Sequence, residues 1–127
     1  CYFYAEIHGI PEELKDYNTN EEGLLSGEAE AEATLGIMLR EPRMLHLAIE
    51  PISLLASEVS YDKKKQTVTI SMNKNSGDGI YRGGALLDTI LQHRNEGGCD
   101  QRMYVEFELF VGIDSKILEE LSAQRRL

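Results

Sequence analysis

The sequence predicts an α+β domain in which a twisted antiparallel sheet of about six strands carries two or three short helices. Three observations favour this fold class. Apolar and polar residues alternate over several short stretches, which is the period of a strand with one buried face. Turn-forming residues separate these stretches, and one segment has a clear helical stripe of apolar residues. A β-sandwich or a partial barrel is the alternative arrangement of the same strands.

The length and composition predict one domain. The chain has 127 residues, of which 42% are hydrophobic and 28% are charged, so residues 1–127 can bury one core. No apolar run approaches the roughly 20 residues that span a bilayer, and we expect a soluble protein with no membrane partner. Cys1 and Cys99 are the only cysteines. Two such distant thiols give no disulfide framework, which favours the cytoplasm or another reducing compartment.

Each end of the chain predicts one strand. Odd-numbered positions are apolar over residues 3–7, and the same alternation runs through residues 103–111. These two stretches would therefore each bury one face against the core. The residues predicted to face inward are Phe3, Ala5, Ile7, Val105, Phe107 and Leu109.

A first hairpin is predicted between residues 29 and 49. From residue 28 to residue 39 every odd position is apolar, while the early even positions are glutamates. Alanine and glutamate are good helix formers, so propensity opposes this pattern, but the alternation favours a strand. A turn is expected at Pro42, which lacks an amide donor. Leu45, Leu47 and Ile49 then alternate with more polar residues and predict the returning strand.

The second predicted hairpin and the helices lie further along the chain. β-branched residues flank the charged turn at residues 62–65, which is typical of a hairpin. A glycine-rich loop then precedes a helix over residues 84–95. Shorter helices are expected after Pro11 and over residues 114–124. The apolar stripe of the helix over residues 84–95 consists of Leu86, Leu87, Ile90 and Leu91.

The first predicted hairpin would place a group of candidate metal ligands on one face of the sheet. Carboxylates and an imidazole on one sheet face can bind Mn, Fe or Zn, or can act as an acid and a base. However, outward strand positions are normally polar, and a single histidine is fewer than most such sites use. We therefore assign the chain no catalytic residue, no metal and no cofactor. The weak metal candidates are Glu30, Glu32, His46 and Glu50.

Two loops resemble binding loops in part. The segment from Asn73 to Ile80 has the oxygen-rich start of a calcium loop but lacks the closing glutamate. Gly83 and Gly84 precede a helix and could present amides to an anion, although no phosphate-loop sequence is present. Both segments are expected to be ordinary connecting loops.

Charge and exposed aromatic residues indicate a protein partner. The formal net charge is -9, and residues 1–58 carry all of it because residues 59–127 contain ten charges of each sign. Such a surface argues against a nucleic-acid partner. The aromatic residues Tyr2, Tyr4 and Phe110 lie opposite the predicted core face of their strands. Either the helices cover them or they form an interface, because large exposed apolar patches on a protein surface mark interaction sites.

The predicted function is a non-enzymatic protein-binding or self-assembling structural module of the kind that forms rings or tubes. Its interface would include Tyr2, Tyr4 and Phe110, and its partner would be a protein, most simply another copy of the chain. Two alternatives stay open. One is an acidic inhibitor or immunity-type protein that binds a basic partner, and the other is a small metal-dependent enzyme.

Overall fold

The computed structural model describes residues 1–17, 28–97 and 101–112, and for residues 28–31 it describes the backbone only. Within these residues the fold is mixed α+β, with one four-stranded sheet and one two-stranded sheet. Short 3-10 helices lie between several of the main elements. The main elements are β1 (Tyr2–Glu6), α1 (Glu28–Arg40), α2 (Leu45–Ala48), β2 (Ile52–Ala56), β3 (Glu58–Asp62), β4 (Thr67–Ser71), β5 (Gly79–Arg82), α3 (Gly84–Asn95) and β6 (Tyr104–Val111).

The larger sheet is mixed rather than wholly antiparallel. Its strand order is β1-β6-β2-β5. β1 with β6 and β2 with β5 are antiparallel pairs, whereas β2 and β6 run parallel. A parallel pair needs a long connection, and here β3, β4, β5 and α3 lie between the two strands in sequence. The prediction of about six strands is correct in number, but β3 and β4 form a separate sheet, and a closed barrel is not seen in the described part of the chain.

The two terminal strands confirm the sequence prediction. β1 and β6 pair with Phe3 opposite Phe107, and the two rings stack with their centroids 5.3 Å apart. Val105, Phe107 and Leu109 are buried in the core. One residue departs from the simple alternation, because Glu108 was expected to face water and is only 7% exposed.

The strand predicted over residues 28–39 is wrong, since these residues form the helix α1. Alanine, glutamate and leucine are among the strongest helix formers, and here propensity outweighs the period-2 pattern. The burial follows the helix, with Thr34 and Met38, four residues apart, at 2% and 3% exposed. Leu39, which the strand pattern would bury, is 65% exposed.

The returning strand predicted over residues 45–49 is also wrong. Residues Pro42–Met44 form a 3-10 helix that runs into the short helix α2. Proline favours the first turn of a helix because its missing N–H has no partner there, so Pro42 starts a helix instead of making a hairpin turn. Leu45 is fully buried but Leu47 is 67% exposed. The predicted first hairpin therefore does not exist.

Two strands escaped the sequence prediction. β5 has only four residues and lies in the stretch that was assigned to a glycine-rich loop, whereas all five residues of β2 are buried. A strand covered on both faces has no alternation of apolar and polar residues. β2 occupies a central position between β6 and β5, where such coverage is expected.

The second hairpin and the helix over residues 84–95 are confirmed. β3 and β4 pair around the charged turn, and α3 buries Leu86, Leu87, Ile90 and Leu91 as predicted. The helix expected after Pro11 is a 3-10 helix over Glu12–Tyr17. The helix expected over residues 114–124 lies outside the described residues. Among the helices that are described, none is both long enough and apolar enough to cross a membrane.

Gly83 lies between β5 and α3, at a position where a side chain would not fit. Its φ is +86°, in the left-handed region that favours glycine. A Cβ atom at this position would lie 2.9 Å from Cγ1 of Ile52. Because Ile52 is fully buried at the start of β2, the close approach of the two backbones fixes the distance between α3 and the sheet.

We expect Gly83→Ala to be more destabilising than Gly97→Ala. Gly97 also has a positive φ of +79° but has open space around its Cα, so its substitution should cost about 1–2 kcal/mol of conformational strain. Gly83→Ala adds the clash with Ile52, and overpacking of this kind typically adds about 1–3 kcal/mol. Urea unfolding of both variants measures the difference. Gly9→Ala, which meets nothing within 4 Å, is the control, and equal losses at residues 83 and 97 would contradict the packing argument.

Arg94, near the end of α3, holds the chain that follows β1. Its side chain is 13% exposed. Nη1 donates hydrogen bonds to the carbonyl oxygens of Ile7, at 2.9 Å, and of Ile10, while Nη2 donates to Oε2 of Glu12 at 2.7 Å. Asn95 donates to the same carboxylate oxygen at 3.0 Å. One guanidinium thereby satisfies two backbone carbonyls and a carboxylate.

The Arg94 network should make stability depend on acid pH through Glu12. The hydrogen bonds from Asn95 and Lys15, with a smaller effect of Arg94, lower the pKa of Glu12 from 4.5 to about 2. A lowered pKa in the folded state stabilises the protein above the unfolded value, and this contribution is lost as the pH falls from about 4.5 to about 2. We expect the difference in urea midpoint between the wild type and Glu12→Gln to be constant at neutral pH and to shrink across this window. A difference that does not change with pH would contradict this role of the carboxylate.

Candidate protein-binding face

Three of the four weak metal candidates lie on separate elements of the described structure. Glu32 is exposed on α1, His46 is half-buried on α2, and Glu50 is exposed in the segment before β2. The side chain of Glu30 lies outside the described part. The hairpin that would have placed them on one face is absent, and the described residues contain no group of three His, Cys, Asp or Glu side chains that could hold a metal ion.

The loop with the calcium-like start is held by its own aspartate. Asp78 is 6% exposed. Its Oδ2 accepts hydrogen bonds from the Ser57 hydroxyl and from the backbone N–H of Asn73, the latter at 2.8 Å. Asn73 in turn caps the short 3-10 helix over Lys74–Ser76. This carboxylate ties the loop before β5 to the residue that follows β2, which accounts for its burial in structural terms.

The glycine pair that precedes α3 also has a structural explanation. Gly83 is required by its positive φ and by the side chain of Ile52. Its carbonyl oxygen accepts the N–H of Leu87 at 2.8 Å, which starts the hydrogen-bonding pattern of the helix. The loop therefore serves the junction between β5 and α3.

Tyrosines and glutamates face one another across β1 and β6, on the side of the sheet opposite the apolar core residues. Directly opposed residues of an antiparallel pair have side chains on the same face. In each of three successive pairs, one residue is a tyrosine and the other is a glutamate. The pairs are Tyr2 with Glu108, Tyr4 with Glu106, and Glu6 with Tyr104, and we call these six side chains the Tyr–Glu face.

The same residues of β1 present their backbone groups to the open edge of the sheet. The N–H of Ile7 donates to Met103 at 2.9 Å, and the N–H of Leu109 donates to Cys1 at 2.7 Å. In an antiparallel ladder the residues between such hydrogen-bonded pairs point their N–H and C=O groups the other way. Tyr2 and Tyr4 therefore direct these groups away from β6, at an edge where the described chain places no further strand.

The Tyr–Glu face is open at β1 and covered toward β2. Tyr2 and Tyr4 are 57% and 58% exposed, whereas Glu108 on β6 is 7% exposed. Ser53 of β2 pairs with Glu108 and is itself buried. Phe110, the third predicted interface residue, is half-buried on the same side of β6 and makes contacts of its own. Tyr2 and Tyr4 are thus the most accessible of the three.

Tyr4 lies at the centre of this open region. The imidazole of His46 meets its ring edge-on, with the two centroids 5.7 Å apart, and the Nδ1 atom of His46 is buried with no hydrogen-bond partner in the described structure. Glu106 lies directly across from Tyr4 and is half-buried. Its carboxylate forms no ion pair with any described residue and lies across the strand pair from the exposed ring of Tyr4.

The sequence indicated the tyrosines but not their partners. Tyr2 and Tyr4 were predicted as interface residues from the aromatic rings of the first strand. Tyr104 was missed, and Glu106 was assigned only to an outward position of the last strand. Alternation identifies which residues of a strand share a face, but the register that sets tyrosines opposite glutamates depends on pairing between segments about 100 residues apart in the chain.

Comparison with known proteins gives no indication of the function of this chain. No protein-family model matches this chain, and no curated protein or solved structure is significantly similar to it. The Tyr–Glu face and the edge of β1 are therefore interpreted from their own chemistry.

We expect Asp78→Ala to destabilise the fold. The substitution leaves the Ser57 hydroxyl and the N–H of Asn73 without their acceptor, and an unsatisfied buried polar group typically costs about 1–3 kcal/mol. Asp88→Ala, at an exposed position of α3, is the matched control and should not destabilise the fold, because alanine is the better helix former. Urea unfolding measures both variants, and equal stabilities would show that the Asp78 carboxylate does not hold the loop.

Proposed function

We propose that this chain is a non-enzymatic structural module that assembles with other protein chains through the β1 edge and the Tyr–Glu face. The observation that carries the proposal is the coincidence of two features on Tyr2 and Tyr4. Their rings are more than half exposed, and their backbone donors and acceptors point outward. An added strand can use both features together, because backbone hydrogen bonds supply affinity while alternate side chains supply specificity.

The composition of β1 supports a binding role for its edge. Proteins commonly protect exposed sheet edges with charged residues, proline or a strong twist. The only charged residue of β1 is Glu6, at the end of the strand. The carboxylate of Glu6 accepts a hydrogen bond from the N–H of His8 at 2.8 Å. Tyrosine is enriched at protein interfaces because it offers a large apolar surface and a polar hydroxyl.

A basic protein partner is the second candidate. The carboxylate of Glu106 has no ion-pair partner among the described residues. Together with the ring of Tyr4 it would suit a lysine or arginine side chain, through a charge-assisted hydrogen bond and a cation–π contact. The net charge of -9 would speed association with such a partner at low salt. A metal-dependent enzyme is not supported by the arrangement of its candidate residues, because Glu32 and His46 lie on different helices rather than on neighbouring strands.

Two substitutions at Tyr4 should distinguish the contribution of its ring to association from the contribution of its backbone N–H. Tyr4→Ala removes the ring, and we expect association to weaken about 10- to 100-fold, as for an interface tyrosine of central importance. Tyr4→Pro also removes the outward N–H but no hydrogen bond to β6, because proline is tolerated where the amide faces away from the sheet. It should therefore weaken association further. Light scattering after size exclusion, over a range of protein and salt concentrations, measures the mass.

The controls for this experiment lie elsewhere on the surface. Leu39→Ala changes an apolar side chain of α1 that is 65% exposed and should leave the mass unchanged. Circular dichroism and urea midpoints verify that each variant is folded. A wild-type mass of 14.3 kDa at every concentration would overturn self-assembly, and a basic peptide that bound this monomer in a salt-sensitive manner would favour the second candidate.

A further inference from the structure

The β3–β4 hairpin is the most exposed ordered element of the described chain. All five residues of β3 are exposed, and the residues of β4 are exposed or half-buried. The two strands form a sheet of their own, so each has one edge with no neighbouring strand in the described structure. A two-stranded hairpin alone is marginally stable in water and gains stability when another surface covers it.

One face of the hairpin is apolar. Val59 lies opposite Ile70, and Tyr61 lies opposite Val68, so these four side chains share one side. Tyr61 is 62% exposed and Val59 is 37% exposed. Ile70 packs in part against the main core, which anchors the base of the hairpin. The apolar side nearer the tip therefore remains accessible to another molecule.

The tip of the hairpin carries positive charge on an acidic protein. Lys63, Lys64 and Lys65 are exposed and form no ion pair with any described residue. The single acid of the turn is already engaged, because Oδ1 of Asp62 accepts the N–H groups of Lys64 and Lys65 at 3.0 and 3.2 Å. Three lysines and one aspartate give residues 62–66 a formal charge of +2.

We infer that the hairpin of one copy docks on the β1 edge and the Tyr–Glu face of the next copy, so that the chains join head to tail. This inference rests on the proposed function and names its partner. The two surfaces are complementary in charge, since the lysine tip would meet a face on which Glu106 forms no ion pair with any described residue. They are complementary in backbone chemistry, since β1 and β3 both have five residues and each has one edge where the described chain places no further strand. Tyr4 and Tyr61 also provide exposed aromatic surface on the two sides.

The geometry of this contact predicts an assembly that propagates. The hairpin and the Tyr–Glu face are different surfaces of the same chain, so each copy offers one of each. A contact between unlike surfaces closes into a ring if the rotation permits and otherwise extends as a filament. A contact of β1 with β1, in contrast, would use one surface twice and stop at a dimer.

A mixing experiment tests the inference with two variants of the full chain. The tip variant replaces Lys63, Lys64 and Lys65 with glutamate, and the face variant combines Tyr4→Ala with Glu106→Gln, which removes the charge without making the face attractive to the glutamate tip. Each variant alone should remain at 14.3 kDa at concentrations where the wild type is larger. The equimolar mixture should form a 1:1 dimer, twice the mass of one chain, because the intact face of one variant binds the intact hairpin of the other. Neither can propagate further.

The other outcomes separate this inference from the proposed function. A tip variant that assembles like the wild type would overturn the role of the hairpin and leave assembly through β1 in place. Two monomeric variants that fail to combine would show that the surfaces are not partners. A monomeric wild type would overturn both. Binding of a separate basic peptide to the wild-type face with no change in chain mass would favour the heterologous basic partner over a second copy.

Two further variants control for charge repulsion and for the change in net charge. Replacing the three tip lysines with glutamine removes the positive charge of the hairpin without introducing repulsion. The association between copies of this variant should be at least threefold weaker than that of the wild type. Arg40→Glu with Lys74→Glu makes a comparable change in net charge outside the hairpin and the Tyr–Glu face, and it should retain the wild-type mass. Increasing salt should weaken assembly of the wild type more than that of the glutamine variant. Equal salt dependence would overturn the charge pairing.

Discussion

The alternation of β6 between two environments is the constraint on which the rest of the structure depends. Its odd-numbered residues Val105, Phe107 and Leu109 are buried in the core, and this fixes the even-numbered residues on the opposite face. β6 then aligns β1 on one side and β2 on the other. A shift of one residue would expose the core side chains. The same hydrophobic burial that holds the sheet together therefore sets each tyrosine of β1 and β6 opposite a glutamate.

Packing around this strand is fixed by a few close contacts between distant segments. Gly83 lets α3 approach the start of β2, and Arg94 at the other end of the same helix binds the carbonyls that follow β1. α3 therefore connects the strands on both sides of β6, through the close approach at Gly83 and through the hydrogen bonds of Arg94. Because the strand that carries Tyr2 and Tyr4 continues directly into the segment bound by Arg94, the position of the Tyr–Glu face is coupled to the core.

The surface features divide into two kinds that complement each other. The edge of β1 combines aromatic rings with negative charge, whereas the β3–β4 hairpin combines an apolar face with positive charge. Exposed sheet edges and exposed apolar strands are a risk for uncontrolled association, and their charge limits which partner can bind. Two such surfaces on one chain favour a specific contact between unlike surfaces.

The sequence by itself determined the elements whose local pattern and local environment agree. β1, β6, the β3–β4 hairpin and α3 each have one buried side, and their apolar periods identified them. Tertiary structure decided the rest. β2 lacks a period because both of its faces are covered, α1 has the alternation of a strand but the propensity of a helix, and Pro42 starts a helix where a turn was expected. Aromatic residues on β1 identified part of the candidate site, but only pairing between the two ends of the chain could set Tyr4 opposite Glu106, because register is a property of two strands and not of either one.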